Sequence, residues 1–198
     1  QDNYNLASAT ASITVIRNSP QIDWPAPTPI PFGTPLGAAQ QNARAENGVT
    51  GSFAYDPPPG AVLNAGLGQT ITATFTPDDS VNYGVTVSSV TIDVVKADAT
   101  IAWNSPAPIS FGSPLSVIQL NASSPSSGTF AYNPPAGTVL DAGSSLPLQV
   151  TFTPVDTANF NTTTVSVPID VLRANLIVRA NDKAKRANTE NPPLTITF

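Results

Sequence analysis

A fourteen-residue segment occurs twice in this chain with few changes. Residues 53–66 read FAYDPPPGAVLNAG and residues 130–143 read FAYNPPAGTVLDAG, so ten of the fourteen positions agree. Further matched pairs lie on both sides: 22–24 with 101–103, 32–36 with 111–115, and 74–83 with 151–160. Self-similarity at a fixed spacing is the signature of a repeat architecture. The chain therefore holds two copies of one folding unit.

The spacing between the copies also predicts where the units begin and end. The offset is 79 early in the unit and 77 late, which places the two extra residues in the loop 37–51. Residues 3–4 align with 82–83, and 13–17 with 92–96, so partial copies occupy the ends. We expect closing strands of a preceding module at 1–18, complete modules at 19–96 and 97–173, and opening strands of a further module at 174–198.

The secondary structure predicted for each unit is all-β. Residues 71–75, 85–95, 148–152 and 165–171 alternate apolar and polar side chains with period two. Clusters of Pro, Gly, Asn and Asp interrupt the chain every 8–12 residues, which is the spacing of a β-sandwich. The junction at 95–101 is short and lacks Gly, which favours stiffness. We therefore expect tandem immunoglobulin-like β-sandwich modules arranged as an extended rod.

Several aromatic residues are candidates for structural roles. Residues 156–160 resemble the corner before strand F of immunoglobulin folds, where a Tyr hydroxyl bonds to the upstream backbone. The candidate structural side chains are the corner residues Tyr4, Tyr83 and Phe160, the strand residues Phe75 and Phe152, and the tryptophans Trp24 and Trp103. Tyr4 and Tyr83 keep the hydroxyl, whereas Phe160 must rely on packing. The two tryptophans are predicted on the first strand of each module, capping its core near the junction.

The motifs of the second copy also resemble those of a known family. The residues W103…P106…FGSPL111–115…GTFAYNP128–134…VTFTP150–154…DTANF156–160 are similar to the bacterial Ig-like repeats of very large surface and secreted proteins. Residues 174–198 are similar to the opening of the MBG-type repeats that often follow them. This resemblance implies an extracellular stalk, adhesin or filament component, and it implies no particular chemistry, because one fold hosts many functions.

Composition argues against several classes of function. The chain carries a net charge of −5 and has no Cys, His or Met. Residues 97–172 hold four Asp and no basic side chain, so the modules would repel a phosphate backbone, and we expect no nucleic acid partner. No apolar run is long enough to span a membrane. A Ser or Thr nucleophile in that module would lack a base to activate it, so we expect no catalytic residues and no enzyme.

Calcium is the one cofactor that the sequence leaves open. Asp78, Asp79 and Asp156 are weak candidates for ligands, because they are predicted in loops and oxygen ligands suit Ca²⁺. The competing interpretation is that Asp156 nucleates a turn through its own backbone. One or two loop carboxylates fall short of the several oxygens that Ca²⁺ needs, so we expect no bound cofactor.

Three hypotheses for the function follow. The first is a non-catalytic structural repeat of an extracellular or cell-surface stalk, adhesin or filament, whose partners are neighbouring modules of the same chain or other copies in a fibre. The second is an adhesive module that binds a glycan or a host protein through its loops. The third is a fibre subunit that polymerises by β-strand addition, with residues 1–17 pairing with an open sheet edge of another copy.

Overall fold

The computed structural model describes residues 9–197, and this part of the chain contains β-strands and no helix. The predicted all-β fold class is therefore confirmed. Fourteen strands occur in chain order: β1 Ile22–Asp23, β2 Ile30–Pro31, β3 Arg44–Ala45, β4 Gly51–Asp56, β5 Gly66–Pro77, β6 Thr86–Val95, β7 Ala97–Asp98, β8 Ile109–Ser110, β9 Gly128–Asn133, β10 Gly143–Pro154, β11 Phe160–Asn161, β12 Thr163–Leu172, β13 Arg179–Ala180 and β14 Ile196–Thr197.

The chain divides into two compact units. The first comprises Gln1–Ala97 together with Ala158–Phe160, and the second comprises Asp98–Thr157 and Asn161–Phe198. Each unit contains one four-stranded sheet, and the two sheets have the same topology. Near the end of the second unit, β13 and β14 form a separate antiparallel pair.

The four-stranded sheet of the first unit has the strand order β2-β6-β5-β4. β4, β5 and β6 are antiparallel neighbours, whereas β2 lies parallel to β6, with Ile30 opposite Val94. The short strands β1 and β3 form a second, antiparallel pair in the same unit. β4 is an edge strand of its sheet, and the first and last strands of the sheet run in the same direction.

The second unit repeats this sheet with the order β8-β12-β10-β9. β8 lies parallel to the end of β12, with Ile109 opposite Val171. Pro168 faces Pro147 of β10, and β8 pairs with β12 only at Val171 and Leu172. The proline, which has no N–H to donate, therefore stands where the other side of β12 is open.

Alternation along the long strands produces the core. Every second side chain from Ile71 to Phe75 is buried, and the same holds from Leu148 to Phe152. The first core cluster consists of Trp24, Ile30, Leu36, Ala43, Ile71, Ala73, Ile92 and Val94. The second consists of Trp103, Leu115, Leu120, Leu148, Val150, Val167 and Ile169. Side chains of period two meet on one face of a sheet, so each unit has a core of its own.

An aromatic ring packs on a glycine at the edge of each sheet. In the first unit a Cβ on Gly51 would lie only 2.7 Å from the Phe75 ring, and in the second a Cβ on Gly128 would clash with the Phe152 ring. Phe75 is 1% exposed and Phe152 is fully buried. Because real Cβ atoms do not approach a ring so closely, only glycine leaves room for the phenylalanine at these two positions.

A β-bulge interrupts the first residues of β5 and of β10. The register shifts between Gly66 and Gln69 in β5, and between Gly143 and Leu146 in β10. One bulge residue in each strand has a positive φ angle, which is 62° at Gly68 and 53° at Ser145. The backbone of the two bulges is therefore alike, but the second places a residue with a Cβ in the left-handed region.

This difference predicts opposite effects of two reciprocal substitutions. Ser145→Gly should stabilise the second unit by about 1 kcal/mol, because glycine adopts the left-handed conformation without a Cβ clash. Gly68→Ser should destabilise the first unit by a similar amount, since a Cβ at Gly68 meets no atom within 4 Å and only the backbone conformation is strained. Urea unfolding of each variant measures both effects. If both substitutions shifted the stability in the same direction, this explanation would be wrong.

Candidate functional site

The predicted tryptophans lie within the hydrophobic cores. Trp24 is 8% exposed and Trp103 is 9% exposed. The indole N–H of Trp24 donates to the backbone oxygen of Gln40, and that of Trp103 donates to the backbone oxygen of Gln119, both at 3.0 Å. A buried indole N–H needs an acceptor, so in each unit this bond fixes the loop that contains the glutamine against the core.

The side chains of the same two glutamines also form hydrogen bonds within these loops, to the backbone amide three residues earlier. Gln40 Oε1 accepts a hydrogen bond from the Gly37 amide at 3.2 Å, and Gln119 Oε1 accepts one from the Ser116 amide at 3.0 Å. Both glutamines are nearly buried. Because each side chain is bonded to backbone, a polar residue is stable at this buried position.

Two further tyrosines, one on β4 and one on β9, have a structural role. Tyr55 and Tyr132 are half-buried and pack edge-on against Trp24 and Trp103, with ring centroids 5.6 and 5.5 Å apart. The Tyr55 hydroxyl accepts a hydrogen bond from the Ala43 amide at 3.1 Å, and the Tyr132 hydroxyl accepts one from Ala122 at 2.9 Å. Burial raises the pKa of Tyr55, and the bond from Ala43 partly opposes that rise.

The predicted tyrosine-corner bond is not formed by Tyr83 with any residue in the range 9–197, while Tyr4 lies outside the described residues. The Tyr83 amide donates to the backbone oxygen of Asp79 at 3.1 Å, so the corner is closed by main-chain bonds. The tyrosine hydroxyls that bond to backbone are those of Tyr55 on β4 and Tyr132 on β9.

Asp79, one of the calcium candidates, organises this corner. Its Oδ1 accepts hydrogen bonds from the amides of Val81 and Asn82 at 3.1 Å, and its Oδ2 accepts one from the Asn82 side chain at 2.7 Å. These bonds, the Asn82 side chain foremost, hold the pKa of Asp79 below its usual range. The carboxylate is thus engaged in turn formation.

Asp78 and Asp156 occupy the corresponding loops of the two units. Asp78 donates its amide to Thr50 O at 3.0 Å, and Asp156 also has a partner in the structure. Within residues 9–197, no group of three or more His, Cys, Asp or Glu side chains is arranged to hold a metal ion. The three calcium candidates are therefore not brought together into one site.

Two further aspartates, which the sequence did not single out, support the bulges. Asp93 Oδ1 accepts a hydrogen bond from the Gly68 amide, and Asp170 Oδ1 accepts one from the Ser145 amide, both at 2.7 Å. A bulge leaves an amide outside the strand ladder, and the carboxylate on the neighbouring strand satisfies it. The signal that could have revealed this role is their matched offset of 77 in the repeat.

The corner residues Asn159 and Phe160 belong to the first unit. The Phe160 ring lies edge-on to the Phe32 ring at 5.2 Å between centroids. Asn159 Oδ1 accepts a hydrogen bond from the Ala65 amide at 2.7 Å, and its Nδ2 lies 3.4 Å from Asn64 Oδ1. Phe32, Asn64 and Ala65 therefore form a surface, here called the end surface, that holds an Asn–aromatic pair by packing and hydrogen bonding.

A cleft of about 370 Å³ opens in the second unit beside Trp103. Its polar lining is uncharged and comes from Asn104, Ser105, Asn121 and Ser123. At an offset of 79, Asp23 and Arg44 of the first unit correspond to Ala102 and Ser123, so this lining is particular to the second unit. The cleft presents amide and hydroxyl groups and no side chain suited to acid–base chemistry.

Comparison with known proteins finds no family model that matches the chain and no curated protein similar to it. The resemblance to bacterial Ig-like repeats therefore stays a prediction from the residues. Within the described part of the chain, no helix is long and apolar enough to cross a membrane.

The bonds around Asp79 predict a pH dependence of the corner. Since the pKa of Asp79 is lowered on folding, its stabilising effect is complete above the ordinary carboxyl pKa and is lost as the pH falls through the folded value. Asn82→Ala should raise the pKa of Asp79 towards its ordinary value, because it removes the strongest bond. A carboxyl NMR titration of both proteins measures this. An unchanged Asp79 titration in the variant would contradict the assignment.

Proposed function

We propose that the chain is a non-catalytic structural repeat of an extracellular or cell-surface protein, in which immunoglobulin-like β-sandwich units act as spacers in a stalk or filament. The observation that carries this proposal is the path of the chain through one unit. Asn18 exchanges backbone hydrogen bonds with Asn82 and Gly84, next to the start of β6, and the chain leaves the sheet at Val95, where β6 ends.

One unit therefore advances the chain by about the length of β6. Ten residues of extended strand span roughly 30 Å. The chain enters the unit beside the start of β6, at Asn18, and leaves it at the end of β6, at Val95, so entry and exit lie at opposite ends of one strand, as a spacer requires. The second unit repeats the parallel pairing of its first and last strands.

The parallel pairing also suits a unit that bears tension. When the two ends of such a unit are pulled apart, the parallel strands slide along each other, and the hydrogen bonds between them are loaded together. In the second unit these bonds include the one from the Phe111 amide to Leu172 O at 2.7 Å. Resistance to force then depends on the rate of unfolding under load.

The polar side chains described above form hydrogen bonds with backbone groups of their own unit. The tryptophan, glutamine, tyrosine and aspartate bonds described above occur in both copies with nearly the same lengths. Repetition of bonds that serve folding supports a structural role. The predicted extracellular location rests on the resemblance to surface and secreted repeats.

Single-molecule force spectroscopy tests the proposal. We expect two unfolding steps, each releasing about 25 nm of chain, because each unit unfolds from one folded length to its full contour length. Phe111→Pro should lower the force of one step, since Pro lacks the N–H that bonds to Leu172. Proline suits this position, because Ser113 N bonds to Ser110 O and Gly112 has a φ of 93°, as in a type II turn.

Phe111→Ala is the matched control, because it keeps the amide and should leave both forces unchanged. A single large step, or two steps that already occur at negligible force in the unmodified protein, would contradict the spacer proposal. An equal effect of Phe111→Pro and Phe111→Ala would contradict the role of the parallel strands.

A further inference from the structure

The second unit carries its own version of the end surface that holds the Asn–aromatic pair of the first unit. Phe111 corresponds to Phe32 at an offset of 79, and Asp141 and Ala142 correspond to Asn64 and Ala65 at an offset of 77. The two copies differ in what covers them. Phe32 is half-buried under Phe160, whereas Phe111 is 47% exposed.

The polar groups of this second end surface are the Ala142 amide and the Asp141 carboxylate. The Ala142 amide has no hydrogen-bond partner among residues 9–197, although its counterpart Ala65 donates to Asn159 Oδ1. Asp141 replaces Asn64, and a carboxylate accepts from an amide N–H more strongly than a neutral side chain does. The surface therefore offers one ring face, one free donor and one acceptor, which is the set that the first unit uses.

The first unit contains a matching pair. Asn82 and Tyr83 correspond to Asn159 and Phe160 at an offset of 77. Asn82 is exposed, whereas Asn159 is 8% exposed. The side-chain amide of Asn82 bonds to Asp79 through Nδ2, which leaves Oδ1 able to accept from a backbone amide.

We propose that the surface formed by Phe111, Asp141 and Ala142 binds the Asn82–Tyr83 pair of a second copy of this chain. Tyr83 would pack edge-on against Phe111, Asn82 Oδ1 would accept from the Ala142 amide, and Asn82 Nδ2 would donate to Asp141. The two partner surfaces lie in different units, so the contact is heterologous and joins further copies in a ring or an open chain.

Sedimentation velocity of the whole chain, from micromolar to millimolar concentration, tests the proposal. A contact formed by so few residues is weak, so we expect species larger than a monomer only at the upper concentrations. Phe111→Ser should weaken the association by about tenfold or more, because it removes the aromatic pair. Val117→Ser is the control, since Val117 is 80% exposed in the same unit and is not one of the three residues that form the surface.

A mixing experiment distinguishes the specific contact from non-specific association. Phe111→Ser keeps the Asn–aromatic pair but loses the end surface, and Asn82→Ala keeps the end surface but loses the pair. Each variant alone should stay monomeric, and an equal mixture should form one-to-one dimers and no longer chains. Thermal unfolding of each variant confirms that it is folded. The proposal is overturned if the unmodified chain stays monomeric, if Val117→Ser weakens association as much as Phe111→Ser, or if the mixture forms no dimers.

Discussion

Each unit depends on the contact between a buried phenylalanine and a glycine on the neighbouring edge strand. Phe75 and Phe152 fill the space that a side chain at Gly51 or Gly128 would occupy. Each also packs on the aromatic residue directly opposite in the ladder, Phe53 or Phe130, at 4.7 Å between centroids. These rings join the edge strand to the centre of the sheet, and the register of the other strands follows from that pairing.

Polar side chains add hydrogen bonds that attach the loops and the bulge to the sheet. The indole and phenol groups satisfy loop backbone, and an aspartate satisfies the bulge, so the irregular parts of each unit are tied to its sheet. The result is a unit in which the chain starts beside one end of the last strand and leaves at the other. The proposed spacer function depends on this geometry.

Much of the fold could be predicted from the sequence, because alternation and repetition act locally. The long strands, the all-β class and the burial of Phe75 and Phe152 follow from period-two patterns. The two extra residues lie between Ala43 and Gly51, since Ala43 and Ala122 share the offset of 79 while Gly51 and Gly128 share 77. The role of Tyr55 could not be predicted from a local pattern, because its partner lies 12 residues away. Which hydroxyl closes a turn depends on packing that no local pattern encodes.

The central claim is that each unit is held by its own phenylalanine and core. Hydrogen exchange of the Phe152→Ala variant tests it most directly, because deletion of this ring should cost about 3–5 kcal/mol in the second unit alone. We predict that amides of β9, β10 and β12 lose protection while those of β4, β5 and β6 keep it. Equal loss of protection in both units, or unchanged protection in the second, would contradict this account.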